Sequence, residues 1–221
     1  ADIDRDGDLD AIVTGNTDNG ATGIIYAWDL QTEALLYDVF SISTNSGYIA
    51  QVNIADFNGD DALEIGVCTP FNYRVLKPVN QQWTEEWIIT TDDWSGQTGS
   101  SVFDFNNDGA SEVVYRNESE LIILNGSDGT ELSTAPCVSG TRVEYPVVVD
   151  VDADGETEIL CSCANELKSF GSAGTPWVPT RQVWNQHQYF NTNITDDLRI
   201  PIQQQSHHIV GDSLVLTARR K

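Results

Sequence analysis

Short apolar runs punctuate this chain at regular intervals, and no segment keeps the spacing of an amphipathic helix over three turns. Ala11-Ile12-Val13, Ile65-Gly66-Val67, Val113-Val114-Tyr115 and Ile159-Leu160-Cys161 each follow an acidic stretch. Runs also precede three of those stretches: Ile49 to Ala55, Ser101 to Phe103, and Tyr145 to Val149. A turn later comes a further set at Ile24 to Trp28, Tyr73 to Leu76, Leu121 to Leu124 and Leu167 to Phe170. A fourth is readable at Ala34 to Phe40 and Glu86 to Ile89, and weakly near Glu131 and Trp177. Gly126-Ser127-Asp128-Gly129 and Gly171-Ser172-Ala173-Gly174 supply hairpin signals between the third and fourth runs. Continuous runs such as Val147-Val148-Val149 suit strands buried on both faces. Four short strands per period of about 40–50 residues predict an all-β chain of propeller blades, about four of them here.

The acidic stretches share one register. Nine-residue windows starting at Asp2, Asp56, Asp104 and Asp150 read DIDRDGDLD, DFNGDDALE, DFNNDGASE and DVDADGETE, at intervals of 54, 48 and 46 residues. They hold 17 of the chain's 34 acids. Like charges crowded this closely repel one another unless a cation sits among them. Each window carries an oxygen-bearing side chain at positions 1, 3 and 5 and a carboxylate at position 9, which is a donor set for Ca²⁺.

The first loop offers Asp2, Asp4, Asp6 and Asp10 with the carbonyl of Asp8. The second offers Asp56, Asn58, Asp60 and Glu64 with the carbonyl of Ala62. The third offers Asp104, Asn106, Asp108 and Glu112 with the carbonyl of Ala110, and the fourth Asp150, Asp152, Asp154 and Glu158 with the carbonyl of Glu156. Three to four Ca²⁺ ions are therefore expected. Gly stands at position 6 in three loops, where it permits the positive φ of a tight turn; the second has Asp61 there and is the weakest site. No His or Cys lies in any loop, which disfavours Zn²⁺, and Mg²⁺ prefers a more rigid octahedron. The closing acid at position 9, with β-type sequence directly after it, separates these loops from an EF-hand.

Composition bounds the rest. The 221 residues permit one domain, or one with an appendage, and 40% hydrophobic content with 20 aromatics is far from a disordered acidic tail. No run reaches the roughly 18 apolar residues of a membrane helix. A formal net charge of −23 argues against nucleic acid or anionic lipid as partner. The sequence contains no Met, so Ala1 is expected to be no translation start and the chain a piece of something longer. Composition shifts at Arg181 to an Asn- and Gln-rich stretch, dividing the chain into blades (1–180) and a closing segment (181–221). There Trp184, Tyr189 and Phe190 are expected to pack on the last blade, while Gln203 to Gln205 and Arg219 to Lys221 stay exposed.

DxDxDGxxD followed by a short apolar strand resembles the FG-GAP or VCBS-type repeat, over about residues 1–177. The resemblance implies that each loop joins the first and second strands of a blade and binds Ca²⁺ through the residues named above. It also implies a ring of about seven blades, so that a chain with four loops would supply its C-terminal part and meet further blades of one parent protein. The alternative is closure of the first blade by a late strand such as Leu214-Val215-Leu216. The stretch from Arg181 is similar to a segment following such repeats in large secreted Bacteroidetes proteins, some associated with gliding motility.

Four cysteines are spaced too widely for a zinc pair. A bridge from Cys137 to either Cys161 or Cys163 fits an oxidising compartment; four buried thiols are the alternative. His207 and His208 with Asp212 read as exposed tail residues rather than a metal site. No nucleophile elbow or phosphate-cradling loop appears. Trp28, Trp83, Trp87 and Trp94 read as interblade packing ahead of a sugar platform. The expected function is a non-enzymatic, calcium-stabilised module of a secreted or cell-surface protein that adheres to a protein or carbohydrate ligand. A polysaccharide lyase or hydrolase on a related propeller is the alternative.

Overall fold

The computed structural model describes residues 1–44, 47–184, 192–195 and 197–203. Among them there is no α-helix, and the strands form four antiparallel sheets in chain order. The first contains β1 (Asp10–Thr17), β2 (Thr22–Asp29) and β3 (Phe40–Ser43). The second contains β4 (Asn53–Ala55), β5 (Glu64–Thr69), β6 (Asn72–Val79) and β7 (Gln82–Thr90). β8 (Ser100–Phe103), β9 (Glu112–Arg116), β10 (Glu120–Leu124) and β11 (Glu131–Pro136) make the third. The fourth has β12 (Val147–Val149), β13 (Glu158–Cys163) and β14 (Glu166–Phe170). Every sheet is a meander, each strand pairing with its neighbour in sequence.

Strand alternation sends successive residues to opposite faces, and here both faces of the inner sheets are used. On β5, Ile65 and Val67 join Ile25, Ala27 and Leu76 in a core between the first and second sheets. The opposite face of that strand puts Cys68 beside Tyr73, Val75, Val113 and Tyr115 in a second core, shared with the third sheet. Val114 and Leu121 then meet Ile159, Cys161 and Cys163 in a third core, against the fourth sheet. Strands β5, β8 and β9 are consequently buried along their whole length, the polar Glu64, Thr69, Ser100, Ser101, Glu112 and Arg116 included. The first strands of the last three sheets lie side by side, β8 touching both β4 and β12.

Two of the expected fourth strands differ from the sequence reading. The run Ala34 to Phe40 contributes a single bridge, Leu35 to Trp28, and the strand itself is Phe40–Ser43. Leu36 and Tyr37 turn into the first core instead, with the Tyr37 ring edge-on to Trp83 at 4.9 Å. No strand forms near Trp177 among the described residues: its ring packs on Phe105 at 4.7 Å, and the Val178 amide donates to the Phe105 carbonyl at 3.0 Å. That contact draws the segment across the third acidic loop and away from β14.

Trp83 and Trp87 are buried between sheets, Trp28 is half-buried on the outer face of the first sheet, and Trp94 is exposed. Past Arg181, its guanidinium donates to the Ile194 carbonyl and Trp184 lies 6.0 Å from Tyr145. Gln203 is exposed. Tyr189, Phe190, Gln204, Gln205, His207, His208, Asp212, Leu214 to Leu216 and Arg219 to Lys221 lie outside the described residues.

Candidate functional site: four repeated acidic loops

Each acidic window connects a sheet's first-strand position to the next strand, and all four fold alike. The position-9 carboxylate turns back to accept the backbone N–H of position 2: Asp10 from Ile3 at 2.6 Å, Glu64 from Phe57 at 3.0 Å, Glu112 from Phe105 at 2.8 Å, Glu158 from Val151 at 2.9 Å. The position-1 Asp accepts from position 6, as Asp2 does from Gly7, Asp56 from Asp61, Asp104 from Gly109 and Asp150 from Gly155. Position 3 accepts from position 5, through Asp4, Asn58, Asn106 and Asp152. Position 5 in turn accepts from position 7, the amides of Asp8, Ala62, Ala110 and Glu156 donating to Asp6, Asp60, Asp108 and Asp154. Every candidate side chain thus spends at least one oxygen on tightening its own loop, and Asp56, Asp104 and Glu112 spend both.

The turn needs two left-handed residues, not one. Position 6 has φ of 98°, 64°, 96° and 94° at Gly7, Asp61, Gly109 and Gly155. Position 4 is left-handed as well, with φ of 62°, 76°, 65° and 69° at Arg5, Gly59, Asn107 and Ala153. The second loop therefore keeps its glycine, moved to the other left-handed position, and Asp61 takes the conformation at a cost an Asp tolerates. Ala153 has no such tolerance and its side chain is exposed. Ala153→Gly is expected to stabilise the protein by about 0.5–1 kcal/mol, a rise in Tm of about 1–4 °C, with no loss of packing. A melting point at or below wild type would contradict that strain.

The oxygens left over are the ones that bear on a metal. Asp2 Oδ1, Asp10 Oδ1, Glu64 Oε1 and Asp150 Oδ1 are buried and have no hydrogen-bond partner. Carboxylate oxygens of Asp2, Asp4 and Asp6, and of Asp150, Asp152 and Glu158, lie within 4.8 Å of one another. Burial pushes Asp10 up to about 6 and Glu64 and Glu112 up to about 7, and raises Glu158, each against the backbone hydrogen bond it accepts. Dehydrated carboxylates facing one another are what a hard cation relieves. The residues present fit Ca²⁺: all-oxygen donors, several per loop, with buried oxygens lacking a hydrogen bond in the first, second and fourth loops.

Reasoning from the sequence missed Lys77 on β6. Its ammonium contacts Asp60 Oδ2 and stands 3.4 Å from Glu64 Oε1, a positive charge inside the second loop. A lone Lys in a strand, 17 residues after Asp60, carries no signal of that placement. Lys77→Met is expected to raise the calcium affinity of the second loop about three- to tenfold, since a competing cation is removed. Calcium titration calorimetry on the variant reads this, and an affinity unchanged or lower would place Lys77 outside the ion's reach.

The disulfide is explicit. Cys137 bridges Cys163 rather than Cys161, while Cys68 and Cys161 are buried free thiols. Cys68 lies in the second core, 3.3 Å from Asp93 and 3.1 Å from the Tyr115 hydroxyl.

These features define a class: an all-β chain of stacked meander sheets, each carrying the same acidic loop. No protein-family model and no curated protein matches the sequence. Among solved structures, the chain is similar to the V. cholerae biofilm matrix protein Bap1, with a TM-score of 0.64 at 17% identity over 96% of this chain and 42% of that one. It thus spans less than half of that protein's length, and at this identity the likeness is one of fold. A protein of unknown function from Bacteroides caccae matches with a TM-score of 0.41 at 12% identity, over 91% of this chain and 74% of that one, too loosely to bear on either fold or function. Among the described residues, no helix is long and apolar enough to cross a membrane.

Proposed function

We propose that the chain is a calcium-stabilised β-propeller segment of FG-GAP or VCBS type, acting as a non-catalytic adhesion or binding module of a secreted or cell-surface protein. The observation that carries this reading is the set of buried carboxylate oxygens without a hydrogen bond in the first and fourth loops, matched in the second by Glu64 Oε1 facing the Lys77 ammonium, in loops of one hydrogen-bond pattern. Sheets stacked face to face in chain order, with their first strands adjacent, support the propeller arrangement. The disulfide supports an oxidising, extracellular setting, where millimolar calcium fills even modest sites. The fold likeness to a biofilm matrix protein is consistent with that setting. Bound calcium would supply charge neutralisation: four ions contribute eight positive charges and bring the formal net charge from −23 to −15. The carboxylates so held stay ionised and are poor general acids, which is why the reading is non-catalytic.

Metal analysis after dialysis against millimolar calcium is the direct test, with three to four ions per chain expected. Protein that emerges metal-free overturns the reading. Release of unsaturated ends from acidic polysaccharides would overturn its non-catalytic part.

A further inference from the structure

The third core holds more sulfur chemistry than one disulfide requires. Alternation along β13 turns Cys161 and Cys163 to the same face, toward the third sheet, where the connector leaving β11 presents Cys137. All three sulfurs lie within 4.8 Å of one another, although only two of them are bonded. Cys161 is buried, so its thiol sits beside the bridge with no competing solvent nucleophile. Arg116, 1% exposed, reaches the same place from β9: one of its nitrogens donates to the Ser162 carbonyl between the two cysteines, another pairs with Glu144, and Nε has no acceptor.

We propose that Cys161 exchanges with the bridge, so that the folded protein interconverts between a Cys137–Cys163 and a Cys137–Cys161 disulfide. The Cys161 thiol gives up its proton and its thiolate attacks Cys137 Sγ. The Cys137–Cys161 bond forms as the Cys137–Cys163 bond breaks, and the electron pair leaves on Cys163, which takes up a proton. One disulfide and one thiol stand on each side of the step, so no oxidant or reductant is consumed. Attack on Cys163 instead would join alternate residues of one strand, whose Cα atoms are about 6.5–7 Å apart, at the far limit for a disulfide. Cys137 is therefore the fixed partner, and the connector stays tied to β13 in either state. Burial holds the Cys161 thiol up at about 11, with Arg116 lowering it and Glu144 raising it; Lys168 is its cross-strand neighbour on β14. Exchange in the folded state is accordingly slow at neutral pH and faster in mild alkali.

The experiment is disulfide mapping of the whole chain. Protein is held at pH 9 for increasing times, quenched in acid, unfolded and labelled with maleimide, and the label is placed by fragment-ion mass spectrometry. Cys68 is labelled throughout and serves as the internal reference. The expected result is a growing share of label on Cys163 at the expense of Cys161, reaching about a tenth or more of the chains, as for two states within tenfold of each other. Label confined to Cys68 and Cys161 at every time overturns the proposal. Cys163→Ser provides a second reading: it is expected to form the Cys137–Cys161 bridge on air oxidation. If that variant fails to fold, the wild-type time course decides alone; if it folds with both thiols free, the proposal fails.

Discussion

Adding a calcium chelator is expected to lower the melting temperature by about 10–20 °C. A site filled at ten times its Kd stabilises the folded state by about 1.4 kcal/mol, and three to four such loops sum to about 4–6 kcal/mol if they act independently. For a chain of this length each kcal/mol moves Tm by about 2–4 °C. Differential scanning calorimetry in 1 mM calcium and in excess EDTA reads the shift, and superimposed transitions would remove the metal from the account. Magnesium in place of calcium is expected to restore only a small part of it, since it gives up its waters reluctantly.

The chelated protein has a pH signature of its own. Glu64 and Glu112 are held up to about 7 by burial, above their unfolded values, so without metal the fold binds their protons more tightly than the unfolded chain does. Their contribution is fully present below the unfolded carboxylate range and is lost as pH rises through about 7. In EDTA the melting temperature is therefore expected to fall between pH 5.5 and pH 8. With calcium the order is expected to reverse, because protons would then compete with the ion for the same oxygens. A metal-free protein that gained stability over that pH interval would show the closing glutamates to be solvated.

The division between what the sequence made legible and what it hid follows the range of each interaction. Ligand register and strand alternation are local, so the loops and most strands could be read directly. Position 6 alone makes the second loop look defective; Gly59 at position 4 is the visible clue to a second left-handed residue, disguised elsewhere by Arg5, Asn107 and Ala153. Cys161 and Cys163 share a face, so alternation could not choose between them as partners of Cys137. Lys77 enters the second loop from another strand, and the Tyr37 and Trp177 rings displace their segments through contacts with Trp83 and Phe105. Those are tertiary facts, without a periodic trace in the chain.

Gly126 and Gly171 sharpen the same point into a measurement, because in sequence they are the same hairpin signal. A Cβ on Gly126 would stand 2.1 Å from the Ser111 carbonyl oxygen and 2.4 Å from that of Phe57. Both are backbone atoms of acidic loops, already tied together where the Ser111 amide donates to the Asp56 carbonyl at 3.0 Å. The Trp87 indole N–H closes the junction by donating to the Gly126 carbonyl at 2.6 Å. Nothing at this site is the yielding end of a flexible side chain, so Gly126→Ala must push the second and third loops apart. A cost of about 3–5 kcal/mol is expected, at the top of the range for overpacking and backbone effects, with calcium affinity falling at both loops together. Gly171→Ala meets nothing within 4 Å and is expected to change stability by less than about 0.5 kcal/mol. Denaturant melts of the two variants decide the matter: equal, small effects would mean that the third sheet's hairpin does not rest on the loops, and that the four sites are not coupled through the backbone.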